Sequence, residues 1–270
     1  MNDDVTFYIQ GWEPEGEPKA IICLVHGLGE HTGRFEHVGK ALNEAGYALF
    51  GFDMRGHGQT GGARGHIPSL DVALSDIHQF VSFQKGTFPD TPIFLYGHSL
   101  GGMLALAYAI RYGAELQGVI ATGAGFRSPL EEQKVKVAIA KILGSLSPKL
   151  TLPSGLDPNT ISRDPEVVQK YLNDPLVHAK LSAGLGKTLL TGIAYCFEHA
   201  REIKPPLLLM HGTDDKLVYP SGSEEFAELA RETNDDVTLK LWDGLHHEIH
   251  NEPEQADVFK FMIEWLDRHL

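Results

Sequence analysis

The sequence predicts an α/β fold: a mostly parallel, doubly wound sheet carrying an inserted helical cap. Three observations predict it. Short apolar runs alternate with helical patterns through the first half of the chain. The runs are continuous rather than alternating, as strands covered on both faces of a parallel sheet must be. A long stretch between residues 122 and 207 then interrupts the alternation.

Four runs open the sheet, at residues 20–25, 47–52, 93–96 and 118–122. Helical patterns at 35–45, 70–85 and 103–112 lie between them, and this alternation implies right-handed crossovers. Two later strands are expected at 207–210 and 237–242. A helix at 223–231 separates them, and a helix at 255–269 closes the chain. At the other end, residues 5–12 are expected to pair antiparallel with 20–25 through Glu13-Pro14-Glu15-Gly16. The stretch before residue 207 far exceeds the dozen or so residues of a plain crossover, and unstructured loops of that length are uncommon. Pro129, Pro148, Pro153, Pro158, Pro165 and Pro175 punctuate it, with helical patterns at 130–143, 165–172 and 185–199. The chain therefore divides into a core of residues 1–125 and 201–270 and a mostly helical cap at 126–200.

Composition narrows the function. Hydrophobic residues make up 42% and charged residues 22%, so a packed core is feasible. The formal net charge of −13 repels nucleic-acid phosphates and favours a small or neutral partner. No apolar run is long enough for a membrane span. Met1-Asn2-Asp3-Asp4 is acidic where a secretory signal is basic. Cys23 and Cys196 read as separate buried thiols, which points to a cytoplasmic protein.

Gly97-His98-Ser99-Leu100-Gly101 follows an apolar strand and opens a helix, the context of a nucleophile elbow. The flanking glycines leave room at a sharp strand-to-helix turn. A serine hydroxyl is a weak nucleophile and needs a base, itself oriented by an acid. In this arrangement, the α/β-hydrolase fold, the chain order is Ser, acid, His. The acid is sought after strand 207–210, where Asp214 and Asp215 both offer themselves. The base is sought after strand 237–242, among His246, His247 and His250. His247 and His250 lack the i, i+4 spacing of a zinc protease, so no metal is expected. An oxyanion hole takes one amide from Leu100, the residue after the nucleophile. The other comes from the glycine-rich loop Val25-His26-Gly27-Leu28-Gly29-Glu30.

These segments resemble the monoacylglycerol lipase and lysophospholipase family of serine hydrolases over nearly the whole chain. The most specific likeness runs from His26 through Gly27-Leu28-Gly29-Glu30-His31-Thr32-Gly33-Arg34 to Phe35, similar to that family's HGxGEHxGRY segment. Phe52-Asp53-Met54-Arg55-Gly56-His57-Gly58 resembles its DxRGHG stretch. Gly97–Gly102 resembles GHSMGG with Leu100 in place of methionine. Ser162-Arg163-Asp164-Pro165 through Asn173-Asp174-Pro175-Leu176 is similar to its cap. The resemblance implies Asp215 as the acid, His247 as the base and Leu28 as the second oxyanion amide. It also implies a polar pocket for glycerol hydroxyls at Glu30, Arg34 and His250. His57 reads as a structural turn residue.

The expected activity is hydrolysis of monoacylglycerols or similar single-chain lipid esters through an acyl-enzyme, without a cofactor. Ser99 attacks, His247 carries the proton, Asp215 orients His247, and Leu28 and Leu100 stabilise the oxyanion. Leu143, Leu146, Leu150, Leu152, Leu156, Leu176, Val177, Leu181 and Leu185 make the cap apolar enough to line an acyl channel. They also suit it to transient contact with a membrane surface. A lysophospholipase, a short- or medium-chain carboxylesterase or a thioesterase would use the same triad. A dehalogenase or epoxide hydrolase would carry Asp at the elbow. A non-catalytic binding protein on this fold would lack triad members, and none is lacking here.

Overall fold

The structure is a computed structural model that describes residues 5–129 and 143–270. Its main sheet has seven strands: β1 (Ile9–Trp12), β2 (Ile21–Val25), β3 (Ala48–Phe52), β4 (Ile93–His98), β5 (Gly118–Thr122), β8 (Leu207–Gly212) and β9 (Val237–Trp242). They lie in the order β1-β3-β2-β4-β5-β8-β9. All neighbours are parallel except β1, which runs antiparallel to β3.

The expected hairpin between the first strand and 20–25 does not form. Both edges of β2 are occupied, by β3 and by β4, so β1 pairs with the edge of β3 instead, with Ile9 opposite Phe52. Burial of β2 on both faces explains its continuous apolar sequence. Ile21, Cys23 and Val25 join one apolar cluster, and Ala20, Ile22 and Leu24 join the other. On the first face lie α2 (Leu70–Thr87), α3 (Leu100–Tyr112), α5 (Ala183–His199) and α6 (Ser221–Arg231). On the second lie α1 (Glu36–Glu44) and the closing α7 (Gln255–Asp267), which buries Val258, Met262, Trp265 and Leu266.

The chain winds outward from β2 to β3, then crosses back over to β4. The sheet order therefore reverses between β2 and β4, and a crevice opens beyond their carboxyl ends. Ligands of doubly wound sheets bind at such a switch point. The two loops that leave β2 and β4 are the glycine-rich loop and the Ser99 turn.

The described part of the stretch after β5 forms short pieces, and the helical pattern expected at 130–143 lies almost entirely outside the described residues. A two-stranded antiparallel ribbon pairs β6 (Thr151–Pro153) with β7 (Lys180–Ser182), a feature a mostly helical expectation misses. Helix α4 (Pro165–Asn173) starts with Pro at its first position, behind Asp164, whose carboxylate accepts from the Glu166 amide. Ser182 caps α5 in the same way through the Leu185 amide. Helix α5 differs in kind from the rest of the insertion. Leu185 and Cys196 are buried in the main core, and the Cys196 thiol contacts the Met103 carbonyl of α3. Within the stretch 126–200, α5 thus packs as a core helix.

Candidate active site

Ser99 sits between β4 and α3 with φ 56° and ψ −118°. Among the described residues it is the one non-glycine with positive φ, a strained conformation that the surroundings must enforce. They do so by close backbone approach. A Cβ on Gly101 would lie 2.0 Å from the Val25 carbonyl, and one on Gly97 would lie 2.2 Å from the Gly101 carbonyl. The Ser99 amide donates to the Thr122 carbonyl at 2.9 Å, and the Ser99 carbonyl accepts from Gly125 and Met103. The turn is thus held from β5 as well as from its own helix.

Asp215 and His247 are brought to this turn by the loops after β8 and β9. His247 Nε2 lies 2.9 Å from Ser99 Oγ, and His247 Nδ1 lies 2.6 Å from Asp215 Oδ2. An ionised carboxylate only accepts, so Nδ1 carries the proton and Nε2 is free to accept from the serine hydroxyl. Asp215 Oδ1 accepts from the Leu217 and Val218 amides, each at 2.9 Å. Asp214 is exposed, and His246 turns its amide to Glu252. Neither enters the chain of contacts.

Electrostatics follow from this arrangement. Burial opposes charging His247, but the Asp215 carboxylate outweighs it and holds the His247 pKa above the ordinary histidine value. Burial also opposes charging Asp215, yet His247 and His211 hold it well below the usual carboxylate range. His211 was not singled out by sequence. Its Nε2 lies 3.0 Å from Asp215 Oδ2 and its Nδ1 2.8 Å from Ser223 Oγ. Its place in His211-Gly212-Thr213-Asp214-Asp215, four residues before the acid and at the end of a buried strand, was the available signal.

Among the described residues, neither the Leu28 amide nor the Leu100 amide meets an acceptor. Leu28 and Ser99 both line a small cavity of about 30 Å³, lined from the insertion by Leu156, Pro158, Ile161 and Tyr171. Of the leucines expected to line a channel, Leu156 is the one that reaches this cavity. Leu185 is core, and Leu146, Leu150 and Leu152 are exposed.

Glu30 and Arg34 line the same cavity. Arg34 holds Glu248 through two nitrogens at 2.7 Å each, reaches Glu30 with one of them, and lies under the Tyr171 ring. Burial pushes the Glu30 pKa up, whereas at Glu248 the doubly bonded Arg34 outweighs burial and pulls it to about 2. Glu248 and Tyr171 complete this cluster and were missed, because their partners are distant in sequence. Arg34 and Tyr171 also border a larger, open cleft of about 450 Å³ on their far side, rimmed by charges of both signs.

His250 corrects the expectation. It is fully buried and does not line the cavity. Its ring stacks on Phe35 at 4.8 Å and meets the His98 ring edge-on at 4.7 Å. It backs His98, which in turn packs against His247 at 4.8 Å. Its sequence neighbours His247 and Glu248 reach the site, but the short helical turn at Ile249–Asn251 carries His250 away from it. Among the described residues no group of His, Cys, Asp and Glu is arranged to hold a metal.

Residues 16–254 match the family described as serine aminopeptidase, S33. The chain belongs to that family of serine hydrolases. It is 37% identical to a monoacylglycerol lipase of Mycolicibacterium smegmatis, over 96% of this chain and 92% of that protein. It is 38% identical over its full length to an abhydrolase domain-containing protein of Dictyostelium discoideum, of which it spans 28%. The crystal structure of a monoacylglycerol lipase from Paleococcus ferrophilus superposes with a TM-score of 0.90 at 35% identity, covering 98% of this chain and 100% of that one. The chain is a serine ester hydrolase of the monoacylglycerol lipase type, on the α/β-hydrolase fold.

Proposed function

We propose that this protein hydrolyses monoacylglycerols to fatty acid and glycerol. The observation that carries the reading is the unbroken contact chain from Ser99 through His247 to Asp215, beneath an apolar roof at the switch point of the sheet. Ser99 Oγ attacks the ester carbonyl while His247 Nε2 takes its proton. The carbonyl oxygen becomes an oxyanion bound by the Leu28 and Leu100 amides. His247 returns the proton to the glycerol oxygen as the ester bond breaks, leaving an acyl-Ser99. Water, deprotonated by the same nitrogen, releases the acid. Asp215 holds the tautomer on which each step depends, and no step calls for a metal or organic cofactor.

The ester class is supported by relatives and neighbours that are monoacylglycerol lipases. Glu30 and Arg34 lie beside Ser99, where the hydroxyls of a glycerol leaving group need polar partners. The cavity has room for a water or two. An acyl chain therefore enters only when the roof formed by Leu156, Pro158, Ile161 and Tyr171 parts. Leu146, Leu150 and Leu152, at 77%, 45% and 51% exposure, give the cap an apolar outer surface suited to transient contact with lipid. The two free, buried cysteines suit a cytoplasmic site of action.

The test is the specificity constant across glycerol monoesters of increasing chain length, lysophospholipids, acyl thioesters and aminoacyl amides. Monoacylglycerols of medium chain should exceed the acetyl ester by well over tenfold, since each buried methylene contributes about 0.8 kcal/mol. A flat response from two carbons to ten would favour a small-ester hydrolase. Preference for aminoacyl amides would place the chain with the peptidases of its family.

A further inference from the structure

The cap does more than roof the cavity: part of it is bonded to the loop that carries the Leu28 amide. The His178 amide donates to the Gly29 carbonyl at 2.9 Å. The two backbones are in such close contact that a Cβ on Gly29 would lie 2.3 Å from the His178 carbonyl. Two residues beyond Gly29, His31 accepts from the Gly33 amide through Nδ1, so its Nε2 carries the proton and donates to Asp174 Oδ2 at 2.9 Å. Asp174 and His178 both belong to the cap.

The His178 side chain anchors that contact. Its Nδ1 accepts from the Lys180 amide, so its Nε2 donates to the Gly56 carbonyl at 3.1 Å. Its ring packs on His57 at 4.9 Å, and His57 packs on His26 at 5.4 Å. His26 accepts from the Met54 amide through Nε2, so its Nδ1 donates to the Gly27 carbonyl at 2.8 Å. That carbonyl belongs to the same peptide unit as the Leu28 amide. A peptide unit is planar, so fixing its carbonyl fixes the direction of its N–H. Three imidazoles, packed in contact but tilted against one another, thus run from the cap to the peptide that points an amide at the reacting carbonyl. None of the triad chemistry uses them.

We propose that the cap segment around Asp174 and His178 is a latch that sets the oxyanion hole, with His178 and Asp174 as positioning residues. The inference rests on Ser99 and Leu28 having the roles given above. A seated cap aims the Leu28 amide, and a displaced cap releases Gly29 and loosens it. Acyl transfer is then fastest only when the cap has closed over a bound substrate, because a donor misplaced by about an ångström forfeits much of its effect.

The test separates this role from that of a channel wall by using 4-nitrophenyl acetate, whose acyl group is too short to need a channel. His178→Ala should lower kcat by about tenfold or more with KM little changed, and should weaken a trifluoromethyl ketone by a similar factor. That inhibitor forms an oxyanion on Ser99. Binding of a non-hydrolysable monoalkylglycerol ether, which forms none, should be unaffected. His178→Gln, which keeps one donor and one acceptor, should recover most of the loss. Asp174→Asn, a milder change that retains the acceptor for the Leu176 amide, should move both quantities in the same direction. If both latch variants leave kcat and ketone affinity within about twofold of wild type, the latch is overturned. It is equally overturned if kcat falls while ketone affinity holds. Ser99→Ala serves as the control: if it keeps its activity, the underlying reading fails, whatever the latch variants do.

Discussion

Asp215 serves two histidines with one carboxylate oxygen and two backbone amides with the other. That saturation is why a buried carboxylate stays ionised beside Ser99 and His247. Asp215→Asn replaces an acceptor by a donor and disfavours the tautomer that leaves Nε2 free. Turnover should fall on the order of 10⁴-fold, whereas the exposed Asp214→Asn should stay near wild type. Comparable losses in the two variants would show that the acid has been misassigned. The sign of the pH dependence also follows. His247 works as a base only when neutral, and Asp215 raises its pKa against the effects of burial. The specificity constant should therefore drop as pH falls through a value above the ordinary histidine pKa of about 6.5. His98, Glu248 and Glu30 also face this ring or act on it, but Asp215 dominates. In Asp215→Asn the residual acid limb should move to lower pH. A wild-type limb well below 6.5 would contradict the electrostatics.

At the scale of elements, the Ser99 turn depends on glycines that let β2, β4 and α3 meet. Gly101→Ala would drive a methyl group against the Val25 carbonyl. It should destabilise the fold by about 3 kcal/mol or more in chemical denaturation, since backbone cannot yield as a side chain can. A change of a few tenths would mean that the elbow is looser than this close contact implies. Legibility in the sequence follows the same division between local and distant. The buried parallel strands and the elbow were readable because each is specified by contiguous residues: apolar runs, two glycines and a helix start. The partner of β1 was not, because nothing near Ile9 records that β2 has both edges filled. Nor was the membership of α5 in the core, which is decided by its packing on α3. Glu248, Tyr171 and His178 escaped for the same reason. Each acquires its role from a residue far along the chain, whereas the partners of His211 lie only four and twelve residues on, and His250 lost its expected role through a turn of backbone that no motif encodes.

Across the whole molecule, a net charge of −13 coexists with exposed Leu146, Leu150 and Leu152 on the cap. The two features predict opposite responses to different lipid surfaces. Binding to zwitterionic phosphatidylcholine vesicles should exceed binding to phosphatidylserine vesicles at low salt, because like charges repel. Added salt should narrow the difference, and Leu146→Ser with Leu150→Ser should weaken both. Tighter binding to the anionic vesicles would mean that the overall charge does not govern the approach.

The sheet order, the elbow and the two late loops converge on one claim, that Ser99 is the residue acylated during turnover. Intact-protein mass spectrometry after treatment with a long-chain fluorophosphonate tests it most directly. The account predicts a single adduct, mapped by fragmentation to the peptide containing Ser99, formed in step with the loss of monoacylglycerol hydrolysis and absent from Ser99→Ala. A Ser99→Ala protein that is labelled or hydrolyses the ester as wild type does would contradict it.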